Sequence, residues 1–280
     1  MARSLLTRIR GLAEAEGDIE AITLDRVRAV AREFGVSPRV VELTALEARV
    51  LPRRYLRSLG TVGWEGQIKL LRSTVAVVGL GGLGGNVVEG LARMGVGRLI
   101  VVDGDVFVDH NLNRQVLSAE AGLGLLKAEA ARTRIGEINA AVEVIVHPEY
   151  ATRENAPRLL DGVEVVVDAL DRLPTRLMLQ EAGQEMGIPM VHGAIAGYVG
   201  QVMTIFPGDG GLRALFGEGS VPQQGIEVQL GCPAATPMMV AAWQVQEVLK
   251  ILLGRGQLLR RKMLFMDAEA GTVEVLEIGS

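Results

Sequence analysis

Cysteine is almost absent from this sequence. Cys232 stands alone, so no disulfide can form within the chain. Histidine is nearly as scarce, and His110, His147 and His192 lie far apart. One Cys and three dispersed His cannot supply the four clustered ligands of a structural zinc site, so no structural zinc is expected. Long uncharged apolar runs are lacking as well. The most apolar stretches, near Met238 and Leu249, are interrupted by Gln244, Gln246, Glu247 and Lys250. No membrane span or signal peptide is read, and a cytoplasmic protein is expected. Excess positive charge is also missing. The net charge is −4, which argues against nucleic-acid binding.

The chain has 280 residues, 49% of them hydrophobic, enough for one large α/β domain with a small appendage. Charge is uneven, with net +3 over residues 1–57 and net −7 over the rest. Residues 1–58 form the predicted appendage, a small helical segment. Thr23 can cap a helix carrying Leu24, Val27, Val30, Ala31 and Phe34, with Gly35 as its stop. Ser37-Pro38 starts a second helix, which ends near Pro52.

Residues 59–280 form the predicted main domain. Strand and helix patterns alternate from Thr74 to His192. The strands are Thr74–Val78, Arg98–Val102, Val142–Val146, Val163–Val167 and Pro189–His192. This predicts a Rossmann-like, doubly wound, mostly parallel sheet covered on both faces. Val199–Phe206 and a hairpin of Lys262–Met266 with Thr272–Glu277 add antiparallel strands at its C-terminal end. Pro207–Gly231, rich in Gly and Pro, reads as a mobile loop. A strongly apolar helix spans Thr236–Leu253.

Three groups of residues point to chemistry. Gly79, Gly81 and Gly84 satisfy GxGxxG between a strand and a helix, with Gly82 inside the loop. Backbone N–H groups exposed at such a turn, together with the helix dipole, attract phosphate. Asp103 lies 19 residues after Gly84, at the end of the next strand, where it can bind ribose hydroxyls. Up to this point a nicotinamide dinucleotide would serve equally well. The second group is Asp105 with Asn111, Arg114 and Gln115, followed by Lys127, one of four lysines in the chain. A dehydrogenase has no need of these groups, whereas a triphosphate requires cations beyond the glycine loop. The third is Asp168-Ala169-Leu170-Asp171-Arg172, at the carboxyl end of a buried strand. Asp171 there can hold Mg(II) or cap the following helix.

In this order and spacing the motifs resemble the MoeB/ThiF/HesA family, bacterial relatives of ubiquitin-activating enzymes. Arg54-Tyr55-Leu56-Arg57 is similar to a segment preceding the family's adenylation domain, and the resemblance covers residues 54–280. It implies a homodimer that uses ATP and Mg(II) to adenylylate the Gly-Gly carboxylate of a ubiquitin-like sulfur carrier of the MoaD or ThiS kind, in molybdopterin or thiamine-type sulfur transfer. Asp103 would bind ribose, and Asn111, Arg114 and Lys127 the phosphates. Asp171 would hold Mg(II), and Arg57 would reach the neighbouring subunit's nucleotide. Three departures stand out: Arg172 where the family has Asn, no CxxC pairs, and about 50 additional N-terminal residues. The alternatives are an NAD-dependent oxidoreductase and a non-catalytic binding protein. Cys232 has no basic residue between Arg213 and Lys250 to activate it, and reads as a small buried hydrophobe.

Overall fold

The computed structural model describes residues 2–217 and 227–278. Its N-terminal unit begins with α1 (Ala2–Leu12) and the hairpin β1 (Glu14–Glu16) and β2 (Ile19–Ile22). Next come α2 (Leu24–Phe34), α3 (Pro38–Glu47) and β3 (Val50–Pro52), which pairs parallel with β2. The two expected helices are present. Gly35 ends α2 at φ 65. Ser37 Oγ accepts the Val40 amide at 3.4 Å, with Pro38 in the first turn of α3. Thr23 holds the N-cap position of α2, but its hydroxyl makes no capping bond. Helix α1 and the small sheet escape sequence reading, because strands of three or four residues carry too little alternation to register.

The main sheet follows α4 (Leu59–Arg72), which is kinked at Gly63. Its elements are β4 (Thr74–Val78), α5 (Gly82–Met94), β5 (Arg98–Val102), α6 (Lys127–Ile138), β6 (Glu143–His147), α7 (Ala156–Leu159), β7 (Val165–Asp168), α8 (Leu173–Glu185), β8 (Met190–Ala196) and β9 (Val199–Ile205). Short helices α9 (Leu212–Phe216) and α10 (Glu227–Leu230) flank residues 218–226. Those residues belong to the segment read as a mobile loop and lie outside the described residues. The long α11 (Ala235–Leu253) leads to the hairpin β10 (Lys262–Asp267) and β11 (Thr272–Glu277).

The eight strands run in the order β11-β10-β9-β8-β7-β4-β5-β6. From β8 to β6 every pairing is parallel, and from β8 to β11 every pairing is antiparallel. This is the architecture expected from the alternation of β-branched runs and helices. Side chains alternate between two cores, as strand geometry requires. Val75, Val77, Leu99, Val101, Val165 and Val167 pack under α4, α5, α6 and α11. Ala76, Val78, Ile100, Val102 and Val166 pack under α7, α8 and α9. The chain leaves β4 for β5 and β6 on one side and returns to β7 on the other. The crevice between the carboxyl ends of β4 and β7 is therefore the topological switch point, where open sheets of this kind bind ligands.

A buried polar network joins the N-terminal unit to the main domain. Tyr55 Oη donates to Glu42 Oε2 at 2.9 Å, and Asn139 Nδ2 donates to Tyr55 Oη at 3.1 Å. Arg54 Nε lies 3.1 Å from Glu42 Oε1. Burial pushes the Glu42 carboxyl up, against the pull of Arg54. Tyr55→Phe leaves two buried polar partners unsatisfied. The expected loss is about 1–3 kcal/mol, read as a lower urea midpoint with unchanged slope. An unaltered midpoint would show that the network does not stabilise this junction.

Candidate functional site

The crevice is built around the first turn of α5. Gly79 follows β4 with φ +91, and Gly81 occupies the N-cap of α5. The contacts leave no room for side chains. A Cβ on Gly79 would lie 2.5 Å from the Ala169 carbonyl oxygen, and one on Gly84 would lie 1.8 Å from the Gly79 carbonyl oxygen. Gly82 faces Pro237 at the start of α11, at 3.3 Å from the position of a Cβ. The loop is thus pressed between the β7 turn and α11, with the first amides of α5 available to an anion.

Asp103 sits where expected, at the end of β5, and its carboxylate organises backbone. Oδ2 accepts the Leu80 amide at 2.7 Å and Oδ1 accepts the Asp105 amide at 2.8 Å. Burial raises its carboxyl, and Lys127 pulls the other way. Lys127 is no surface cation. Only 6% exposed, it places Nζ 2.9 Å from Asp105 Oδ2. Tyr150 Oη donates to Asp105 Oδ1 at 2.6 Å. Burial alone would raise the Asp105 carboxyl, but Tyr150, Lys127 and the charge of Arg172 hold it below the usual range.

Asn111 and Gln115 are buried, whereas Arg114 is half-buried. Asn111 Oδ1 accepts the Val108 amide at 3.1 Å, and Gln115 lies beside Gly81. Arg114 Nη1 donates to the His110 carbonyl at 2.9 Å and to Asn113 Oδ1 at 2.8 Å. On the other side of the loop, Asp171 is exposed, with no hydrogen bond or ion pair among the described residues. Arg172 takes the N-cap position of α8, so Asp171 does not cap that helix. Among the described residues no group of three Asp, Glu, His or Cys could hold a metal ion unaided. A free carboxylate at a strand end fits Mg(II), which takes one or two carboxylates and completes its shell with phosphates and water.

Arg57 is the one predicted residue that the fold keeps away. Tyr55 packs against Gly95, where a Cβ would lie 2.6 Å from its ring. Gly95 caps the far end of the 13-residue α5, about 20 Å from the glycine loop. Arg57, two residues beyond Tyr55, is exposed and has no partner among the described residues, and it lies at the opposite end of the sheet from its own crevice.

Several groups at the site were not read as functional from sequence. Tyr150, beyond β6, lies against Gly104 and on Asp105, although no spacing rule links it to either. His192 is buried against Asp168. Cys232 is half-buried, its thiol raised by burial against the charge of Arg114, a cation brought near by the fold rather than by local sequence. Beside it an open cleft of about 590 Å³ is lined by Asn113, Gly197, Tyr198, Leu230 and Pro233, among others.

Two glycines test the packing. Gly84→Ala is expected to cost at least about 2 kcal/mol, because its Cβ meets backbone rather than a movable side chain. Gly136→Ala, in α6 with nothing within 4 Å of a Cβ, should be neutral or stabilising by up to about 1 kcal/mol. Equal urea midpoints for the two variants would refute the close contact.

The ThiF family profile matches residues 54–280. The SAMP-activating enzyme E1 of Haloferax volcanii is 40% identical over 229 residues, 80% of this chain and 84% of that protein. The sulfur carrier protein adenylyltransferase of Thermus thermophilus is 39% identical over 227 residues, 77% of this chain and 83% of that protein. The chain spans about half the length of a third relative, the adenylyltransferase and sulfurtransferase MOCS3 of Aedes aegypti (35% identical, 80% of this chain and 52% of that protein). Among solved structures, E. coli MccB with ATP superposes with a TM-score of 0.69 at 19% identity, over 81% of this chain and 72% of that one, a likeness of fold. No helix among the described residues is long and apolar enough to cross a membrane. With its profile match running from the Arg54 segment through the last strand, the chain belongs to the ThiF family.

Proposed function

We propose that this protein adenylylates the C-terminal carboxylate of a ubiquitin-like sulfur-carrier protein ending in Gly-Gly, of the MoaD or ThiS kind, using ATP and Mg(II). The observation that carries this reading is the meeting of three sets of groups at one switch-point crevice. These are the glycine loop with Asp103, the Lys127–Arg114–Asn111 group, and the free Asp171. Hydride transfer would employ only the first set. The names of the Haloferax and Thermus relatives support a carrier-activating reaction.

In the proposed reaction a carboxylate oxygen of the carrier attacks the α-phosphorus. The bond from that phosphorus to the bridging oxygen of the β-phosphate breaks, and pyrophosphate leaves. No proton moves, so no general base is required. The chain's own task is alignment and charge neutralisation. The α5 amides receive phosphate oxygens, and Asp103 faces the ribose. Lys127, already buried beside Asp105, presents its ammonium to the phosphates. Arg114 and Asn111 face the phosphates with it, and the carrier tail enters by the cleft beside Cys232. Asp171 would hold Mg(II), which when bound offsets charge on the phosphates.

A further cation, Arg57, comes from a second copy of the chain. Val106, Val108, Leu112, Val116, Leu123, Leu125 and Leu126 are all at least 37% exposed, within one 21-residue segment beside the crevice. Apolar exposure on this scale supports an interface. A twofold axis perpendicular to α5 would set the Arg57 end of one copy against the crevice end of the other.

Pyrophosphate exchange with a panel of small Gly-Gly proteins tests the reading. Exchange is expected only with carriers bearing a free Gly-Gly carboxylate, and the responding carrier identifies the pathway. Asp171→Asn and Arg57→Ala should each lower exchange about 100-fold or more in folded protein. Co-expressed, they should regain about half of the wild-type activity per heterodimer, because one site then keeps both residues. Calorimetry showing NAD binding without ATP binding would overturn the reaction. A verified heterodimer without recovered exchange would overturn the trans role of Arg57.

A further inference from the structure

Asp168 ends β7 and stands in register with His192 on β8. Both are fully buried, at 0% and 1% exposure. Asp168 Oδ2 lies 2.7 Å from His192 Nδ1, and Gln201 Nε2 lies 3.3 Å from His192 Nε2. An amide nitrogen only donates, so Nε2 accepts, and the ring proton sits on Nδ1, directed at Asp168. Burial pushes the imidazole's pKa down, against the pull of the neighbouring carboxylate.

The Asp168 carboxylate therefore points into the sheet rather than into the crevice, and its second oxygen shapes the chain. Oδ1 accepts the Leu170 amide at 3.1 Å, a bond from a side chain to the backbone two residues ahead. Gln244 Nε2, from α11, donates to the Asp168 carbonyl at 2.8 Å. The turn made in this way does two things. It presses the Ala169 carbonyl against Gly79, and it sets the course of the chain into Asp171, two residues further on.

We propose that His192 is a positioning residue for Asp171: it fixes the carboxylate of Asp168, whose turn aims Asp171 at the nucleotide phosphates. The inference rests on the role given to Asp171 above. Without the Nδ1 donor the buried carboxylate loses its strongest partner, and an uncompensated charge in this place is costly. The turn then relaxes to bring Asp168 toward water, and Asp171 moves with it. His192 never touches the substrate. Its effect passes through two residues of backbone.

The side-chain geometry supplies a sharp test in the full-length protein. His192→Asn places an amide nitrogen where Nδ1 stands and can still donate to Asp168. His192→Gln carries its amide one carbon further out, where Nε2 stands. His192→Leu donates nothing. Each variant is measured for urea midpoint, for ATP affinity by calorimetry with and without Mg(II), and for kcat and KM of carrier-dependent pyrophosphate exchange. In His192→Gln and His192→Leu, kcat should fall about 10- to 100-fold. In the same variants metal-free ATP affinity should stay within about threefold, and the tightening by Mg(II) should disappear. His192→Asn should recover both to within about threefold.

A purely structural role predicts losses that follow the urea midpoint and are equal for Asn and Gln, and that result would overturn the proposal. If His192→Leu fails to fold, the Asn–Gln pair decides alone. Asp171→Asn in the same assays separates the two levels of the argument. Retained tightening by Mg(II) in Asp171→Asn overturns the Asp171 reading and this proposal with it. Lost tightening there, with wild-type behaviour in His192→Gln, overturns the positioning role only.

Discussion

The arrangement of the crevice depends on one contact, the packing of the glycine loop against the turn that follows β7. Gly79 touches the Ala169 carbonyl, and Gly84 touches the Gly79 carbonyl, at distances that no Cβ could tolerate. The Ala169 amide in turn donates to the Val78 carbonyl at 3.0 Å. Because β4 and β7 are neighbours in the sheet but distant in sequence, this contact joins the two halves of the doubly wound fold where the strand order reverses. It brings the start of α5 against the turn that leads to Asp171, a juxtaposition that neither half could produce alone. A glycine here is a requirement of approach, since its neighbours are backbone atoms that cannot rotate aside.

Charge at the crevice follows from the same geometry. Asp103 is occupied by two amides, so it acts first as a brace between the glycine loop and the strand end. The brace also sets the chain toward Asp105, which gathers Lys127 and Tyr150. A buried ammonium is costly unless it is paired. Asp105, with its side chain 47% exposed, supplies that pairing at the edge of the crevice rather than beneath it. The cation is thereby fixed in place, and in the proposed reaction this would spare reorganisation when negative charge develops on the phosphates.

The sequence made some of these features legible and hid others, for physical reasons. Thr74–Val78 and Arg98–Val102 are apolar, largely β-branched runs bounded by polar or glycine residues, so the buried strands and the mostly parallel sheet they form could be read. Asp103 and the glycines follow from local spacing on consecutive elements. Tyr150 and His192 could not be found in this way. Tyr150 meets Asp105 only because β5 and β6 are adjacent. His192 meets Asp168 only because β7 and β8 are in register, and a histidine in an apolar strand carries no mark of its partner. The strands β1, β2 and β3 were too short for a period to show. Lys127 is the reverse case: its position was legible, but its burial required the tertiary fold.

Arg57 shows how far a single chain can take the site. The segment that carries it is not loosely attached. Tyr55 is 1% exposed, Glu42 is 0% exposed, and Asn139 Nδ2 also donates to the Ala92 carbonyl at 3.1 Å near the end of α5. These bonds pin the backbone just before Arg57 to the end of α5 farthest from the glycine loop. Bringing Arg57 to its own crevice would require breaking a buried network and dragging a helix end along the sheet. Rigid attachment at the wrong end of one chain is the placement that the proposed symmetric dimer would require, since a copy turned about an axis across α5 would bring its crevice end to this arginine. The same clamp that removes Arg57 from its own site would hold it steady at the other.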